Sequence, residues 1–373
     1  MPPPDIIYLD HHATTPCDPR VVEKMLPYFT EHFGNPASIA HPHGRKASLA
    51  LEDARIAVAR FFGVLPPEIY FTAGATESNN IALNFVRPDE HLVTSPTEHK
   101  SIIAPASARN VSYVQPDRDG RITADALRAA LRPETRLVSI EYANGEIGTI
   151  QPIAELAAVC RERKIFFHTD ATQAAGKIPL DLAHVDMASF SAHKLYGPKG
   201  IGALFVRRGV RVAPVIVGGG QERNVRSGTV NVPGAVGFAA ALQLRQEEMT
   251  EEALRLAQLR DVLRDAIEER IDGVSVNGPR ELRLPGNLNV SFTRIEADSL
   301  IIAMKRFSLS SGSACSSGEK GPSRVLKAIG LDDDAAMGSI RFGLGKSNTA
   351  EQVNMLIDDL QRTVRRLREL APA

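Results

Sequence analysis

The chain is expected to fold as an α/β protein, a mostly parallel large-domain sheet followed by a smaller α+β domain. Three observations point there. Between about Ile69 and Val206 short apolar runs alternate with helical patterns, the signature of a parallel sheet covered on both faces. The alternation stops at a Gly-rich stretch, GGGQERNVRSGT, after which a long helical pattern begins. A length of 373 residues also exceeds what one hydrophobic core usually serves.

In chain order, the segment through HPHGRKASLALEDARIAVARFF reads as helical arms preceding the sheet. Strand-like and helical runs then follow as IYFT, TESNNIALNFV, HLVTSP, a helix after Lys100, VSYV, TADALRAAL, LVSIEY, IAELAAVCRER, IFFHTD and MASFSA. Beyond the Gly-rich stretch a helix is expected from about Pro233 to Ile271, then the strand-like VSVN and LNVSF, and a closing helix from Ala350 to Leu370. In sheets of this kind ligands sit at the carboxyl ends of the strands.

Composition excludes several classes of function. Apolar residues make up 43% and charged residues 24%, and no apolar run nears the ~20 residues of a membrane span, so no membrane role is expected. Forty-four basic residues cancel 44 acidic ones without a like-charge block, which argues against nucleic acid and for a small molecule or protein as partner. The start, MPPPDIIYLDHH, lacks a basic stretch followed by an apolar one, so the cytoplasm is the expected location. Cys17, Cys160 and Cys315 are widely spaced with no C-x-x-C pair, and free thiols are expected.

The strongest local signal is SAHKLYGPKG, which puts Lys194 after an apolar strand and before a Gly/Pro turn. A lysine shielded there suits Schiff-base chemistry, because desolvation frees the neutral amine; most lysines are instead solvated surface groups. Ser191 and His193 beside it could donate to a phosphate. Upstream, IFFHTDATQAAGK ends a buried-looking strand in Asp170. That carboxylate could face a protonated pyridine nitrogen or could cap a following helix. Gln173 could donate to a ring hydroxylate or be solvated. In YFTAGATESNNIAL the amides of Ala75 and Thr76 and the Thr76 hydroxyl open a helix, an anion site by geometry. His99 follows HLVTSP and Asn144 follows LVSI, so four strand ends converge.

Two other patterns lead nowhere. LGKSNT resembles the end of a P-loop, but Ile340 stands where the upstream glycine belongs. His11-His12 and His41-x-His43 have poor spacing for a tetrahedral site and no Cys or carboxylate cluster joins them, so no metal is expected. The second chemical signal is SLSSGSACSSGEKGPSRVL: Cys315 lies among Ser and Gly, as an accessible nucleophile or an unreactive exposed thiol would, whereas Cys160 in IAELAAVCRER reads as packing.

Taken together, YLDHHATTP, FGNPASIAH, TAGATESNN, TEHKS, NGEIGTIQPI, HTDATQAAGK, SAHKLYGPKGIGAL, GGGQERNVRSGT, SSGSACSSG and RFGLGKSNT resemble the cysteine desulfurases, fold-type I pyridoxal-phosphate enzymes related to class V aminotransferases. The resemblance covers most of the chain. It implies that Lys194 binds the cofactor covalently, Asp170 faces its pyridine nitrogen, His99 stacks on the ring and moves protons, and Asn144 and Gln173 touch the ring hydroxyl or the substrate. It further implies a phosphate held by Ala75, Thr76, Ser191 and His193, with Thr229 reaching across from a second subunit of a homodimer. Arg341, with Asn35 beside it, would grip the carboxylate of L-cysteine, and Cys315 would take the sulfur as a persulfide while alanine leaves.

The same resemblance implies an arm over residues 1–15 associated with the small domain, a large cofactor domain over 16–245 and a small domain over 246–373 carrying the cysteine loop. The context S-S-G-S-A-C-S-S-G resembles the group serving iron–sulfur cluster assembly and nitrogenase maturation, so the expected acceptor is a protein such as a cluster scaffold. The ending LRELAPA is shorter than in members that dock such a scaffold, which counts against that route. Two rivals share parts of this pattern. An aminotransferase or a carbon–sulfur or carbon–selenium lyase would not need Cys315, and a non-enzymatic sulfur relay would not need Lys194, Asp170, His99 and Arg341 together.

Overall fold

The computed structural model describes residues 6–311 and 321–370. Its twelve strands are β1 (Ile7–Tyr8), β2 (Ile69–Thr72), β3 (His91–Thr94), β4 (Asn110–Tyr113), β5 (Thr135–Ser139), β6 (Phe166–Asp170), β7 (Met187–Ser191), β8 (Gly202–Val206), β9 (Val274–Val276), β10 (Asn287–Phe292), β11 (Phe307–Ser308) and β12 (Ser339–Gly343). Seven form one sheet in the order β2-β8-β7-β6-β5-β3-β4. β8 is antiparallel to both of its neighbours, and every other pairing in this sheet is parallel. The mostly parallel sheet predicted from the alternating pattern is therefore present. β8 itself, GALFV, is not singled out by the pattern because it emerges directly from a Gly/Pro turn.

Residues of β3, β7 and β8 are buried throughout, as continuous apolar runs covered on both faces should be. Helix Pro42–Phe62 packs on this core through Leu51, Ala54, Val58, Ala59 and Phe62, the i, i+3, i+4 spacing of an apolar face. Pro42 opens it, the His41 ring accepts from the Gly44 N–H, and Gly63 closes it at φ 66°. The segment after Asp170 forms turns rather than the helix that a cap would imply.

A second hydrophobic core gathers Ile7 and Leu9 with residues from Leu256 to Val364. There β12, β10 and β9 form an antiparallel sheet, β1 pairs with β11, and helix Ala350–Leu370 covers them with Val353, Leu356, Ile357, Leu360 and Val364. Helix Val232–Arg270 belongs to both cores. Ala235, Phe238, Ala239, Ala241 and Leu242 pack in the first, and Leu256, Leu259, Leu263 and Ile267 in the second. At 39 residues it is about 58 Å long.

The Gly-rich stretch is fastened by a buried ion pair. Arg55 binds Glu222 with two hydrogen bonds of 2.8 and 2.7 Å, and the Phe71 N–H of β2 donates to the same carboxylate at 2.7 Å. Glu222, Arg223 and Asn224 all have left-handed backbone (φ 45°, 54° and 66°), a strained run for residues with side chains. Glu222→Ala should therefore release the turn and strand the Arg55 charge, costing about 3–5 kcal/mol in the urea unfolding midpoint converted to free energy. A loss below about 1 kcal/mol would contradict this role.

His168 of β6 lies between Ser139 of β5 and Ser189 of β7, at 2.8 and 2.9 Å. Burial outweighs the attraction of Asp170 and pushes its pKa down from 6.5 to about 4. The unfolded chain thus binds this proton where the folded chain does not, so stability is lost as the pH falls from 6.5 towards about 4. Denaturant midpoints across that window should fall, and His168→Gln should flatten the slope.

Candidate functional site

Because β8 runs opposite to both neighbours, β2, β7, β6, β5 and β3 all point the same way, and the residues following them meet at one edge. They surround a cavity of about 1390 Å³ lined by Thr76, His99, Asn144, Asp170, Gln173, Ser191, His193, Lys194 and Arg341 among others. Thus the four predicted strand ends do converge.

Lys194 closes the single turn Ala192–Lys194 that follows β7. Its Nζ donates to the carbonyls of His12 and Ala13, both at 2.7 Å, which turns the amine along the N-terminal segment and towards the cavity. Gln173 belongs to the same network. Its amide nitrogen donates to the His12 carbonyl at 2.9 Å, and its oxygen accepts from Lys177 Nζ at 2.9 Å. Burial, with Lys194 nearby, pushes Lys177 down to about 7.

Asp170 ends β6 and is buried. Its Oδ1 accepts from the Thr172 N–H at 3.0 Å and its Oδ2 from Asn79 Nδ2 at 2.7 Å. The same Asn79 nitrogen donates to Ser101 Oγ at 2.8 Å, and Ser101 Oγ lies 2.8 Å from His99 Nδ1. His99 caps helix Lys100–Ser107, its Nδ1 accepting from the Ser101 N–H at 3.1 Å. Burial lowers its pKa, opposed by Asp170 and reinforced by Lys194.

An anion cradle opens beside these groups. Helix Ala75–Leu83 begins at Gly74, whose φ of 149° favours glycine, and its first amides have no partner within the helix. A Cβ built on Gly74 would stand 3.7 Å from Ser191 Oγ, so the Ser191 hydroxyl flanks this helix start. His193 Nδ1 bonds Thr14 Oγ1 at 3.0 Å, and burial with Lys194 and Lys199 pushes the ring down to about 4, leaving it neutral.

Arg341 of β12 is buried and pairs with Asp10 at 2.7 Å. The Asn144 amide donates to the Thr97 carbonyl and to Glu141, while its oxygen accepts from the N–H groups of Glu146 and Ile147. Asn144 therefore shapes the wall, and any ligand contact would displace one of these bonds. Beneath it, burial raises Glu98, Glu141 and Glu146, Glu141 to about 8.

Two expected residues do not reach the cavity. Asn35 is exposed, its side chain accepting from the Ala37 N–H at 3.0 Å, so within one chain it does not stand beside a substrate carboxylate. Thr229 is also exposed and away from the lining. Cys315 lies outside the described residues. The described segments on either side of it do reach the site: the Ser310 carbonyl accepts from the Arg341 N–H at 2.7 Å, and Gly321, Pro322, Ser323 and Arg324 line the cavity. Asp10, His12, Asn79, Ser101, Glu98, Glu141 and Arg324 are participants that sequence reasoning missed, since each depends on a contact between distant segments. Among the described residues no cluster of His, Cys, Asp or Glu could hold a metal ion.

The donor set fits pyridoxal phosphate: helix-start amides with hydroxyls for a phosphate, a buried carboxylate for a pyridine nitrogen, an amide donor for a ring hydroxyl and an amine for an aldehyde. The Aminotransferase class-V family profile matches residues 7–356. A cysteine desulfurase IscS of Anaeromyxobacter dehalogenans is 49% identical over 98% of this chain and 94% of its own length. A cysteine desulfurase of Rattus norvegicus is 47% identical, over 98% of this chain and 84% of that one. Among solved structures, a NifS-like protein superimposes with a TM-score of 0.89 at 38% identity, covering 96% of this chain and 99% of its own. SspA in complex with cysteine gives 0.81 at 36% identity, over 91% and 98%. A cavity built for this cofactor and likeness over nearly the whole length agree, and the chain belongs to the class-V aminotransferase family and, within it, to the cysteine desulfurases.

Proposed function

We propose that this cavity converts L-cysteine to L-alanine, with Lys194 as the proton-moving amine and Cys315 as the thiol that carries the sulfur away as a persulfide. The observation that carries the reading is the bracketing of Cys315. Ser310 is bonded to Arg341 on one side, and Ser323 and Arg324 line the cavity on the other.

Pyridoxal phosphate, when bound, supplies the electron sink that lets the α-proton of the amino acid leave. Its phosphate would be held by the amides of Ala75 and Thr76, the Thr76 and Ser191 hydroxyls and His193, its pyridine nitrogen by Asp170 and its ring hydroxyl by Gln173. His99 would lie over the ring. Arg341 offers a planar guanidinium for the substrate carboxylate, with Asp10 fixing its orientation. Lys194 removes and returns a proton at Nζ. The Cys315 thiolate attacks the substrate sulfur, the carbon–sulfur bond breaks with its electron pair staying on carbon, a proton completes alanine, and the sulfur remains on Cys315. A direct lyase would need no protein thiol and a relay would need no such cavity.

The partner assignments belong to the same reading. Thr229 would complete the phosphate cradle of a second copy in a homodimer. Its exposure, and that of Val215, Ile216 and Val217 on the preceding segment, support this, since Val215 and Ile216 also border the cavity. A sulfur-acceptor protein, such as an iron–sulfur scaffold, would receive the persulfide sulfur in the cytoplasm. Among the described residues no helix is long and apolar enough to cross a membrane.

Incubation with cysteine should leave the Cys315 peptide heavier by one sulfur atom with alanine formed in proportion, and Cys315→Ser should abolish both. Undiminished sulfide release by Cys315→Ser would favour a direct lyase. Lys194→Ala should lose the near-visible absorbance of the holoenzyme and lower alanine formation about a thousandfold. Val217→Asp should shift the mass in sedimentation from dimer to monomer, and an unchanged monomeric mass in the parent protein would refute the shared cradle.

A further inference from the structure

The network behind the cavity has a direction that none of its members reveals alone. Asn79 is fully buried and does not line the cavity, yet its one Nδ2 group donates to Asp170 at 2.7 Å and to Ser101 at 2.8 Å. The reverse orientation of its amide would set an oxygen against the Asp170 carboxylate, so the polarity is fixed by charge. Ser101 Oγ already accepts from Asn79, which leaves its hydroxyl proton for His99 Nδ1 at 2.8 Å. The Ser101 N–H donates to the same ring nitrogen at 3.1 Å, so Nδ1 is an acceptor twice over. Neutral His99 then carries its proton on Nε2. Among the described residues Asn79 Oδ1 is buried without a partner, a cost in stability that packing gives no reason to bear.

We propose that Asn79 is a positioning residue that sets two groups at once: it holds the Asp170 carboxyl in place through Oδ2, and through Ser101 it locks His99 in the Nε2–H tautomer. One amide thereby couples Asp170 to His99. This rests on the proposed roles of Asp170 and His99, but the tautomer is a property of the protein itself. The charged groups acting on His99 besides Asp170 are Lys194, Arg324 and Lys100. All three are left in place by the variants below, and all oppose protonation.

The test uses holoenzyme labelled with ¹⁵N-histidine, His99 being assigned through His99→Gln. The parent protein should show His99 protonated on Nε2 alone. Asn79→Ala should raise the His99 titration midpoint by about half a unit or more and also move the pH midpoint of the cofactor absorbance. Ser101→Ala should raise the first midpoint and leave the second where it was, and it serves as the test by itself should Asn79→Ala fail to fold. A parent His99 protonated on Nδ1, an Asn79→Ala protein in which only one or neither midpoint moves, or a Ser101→Ala protein in which both or neither move, would overturn the coupling. If instead no cofactor absorbance exists in the parent, the functional reading fails while the tautomer result still decides the role of Asn79.

Discussion

The insertion of β8 between β2 and β7, antiparallel to both, is the constraint on which the cavity depends. With it, β2 ends at the same edge as β7, β6, β5 and β3, so the helix start after β2 faces the lysine after β7 and the carboxylate closing β6. Backbone contact there leaves no room for a side chain. A Cβ on Gly202, the first residue of β8, would come within 2.7 Å of Gly74 Cα. Sheet direction and a close glycine contact thus bring an anion-binding helix start to an amine from more than a hundred residues away.

Around that edge, burial sets the protonation states. Burial pushes the pKa of His99 down and that of His193 to about 4, raises Glu141 to about 8, and brings Lys177 down to about 7. The Asp170 carboxylate, held by the Thr172 N–H and Asn79, and the Arg341–Asp10 pair stand out as groups whose charge is met by built-in partners. A site of this kind is arranged before any ligand arrives, because dipoles and ion pairs fixed by the fold need little reorganisation.

Much of this was legible in the sequence. Lys194, Asp170, His99, Ser191, His193 and Gln173 sit at the ends of strands whose apolar runs are easily read, so local pattern placed them. The long helix and the sheet direction followed from periodicity and from alternation. What escaped has a common cause. β8 hides behind a Gly/Pro turn, and Asn79, Asp10 and Arg324 look like ordinary polar residues until long-range packing supplies their partners. Asn35, expected only from the resemblance, has its side chain engaged in a local turn within this chain.

Helix Val232–Arg270 gives the molecule a mechanical character. Its first half is held in one core and its second half in the other, with no break between them. Loosening either core would leave half of a long helix without the packing that stabilises it, and isolated helical turns are weak in water. The two cores should thus melt together as one cooperative unit, and a strain arising in either travels along the helix to the other.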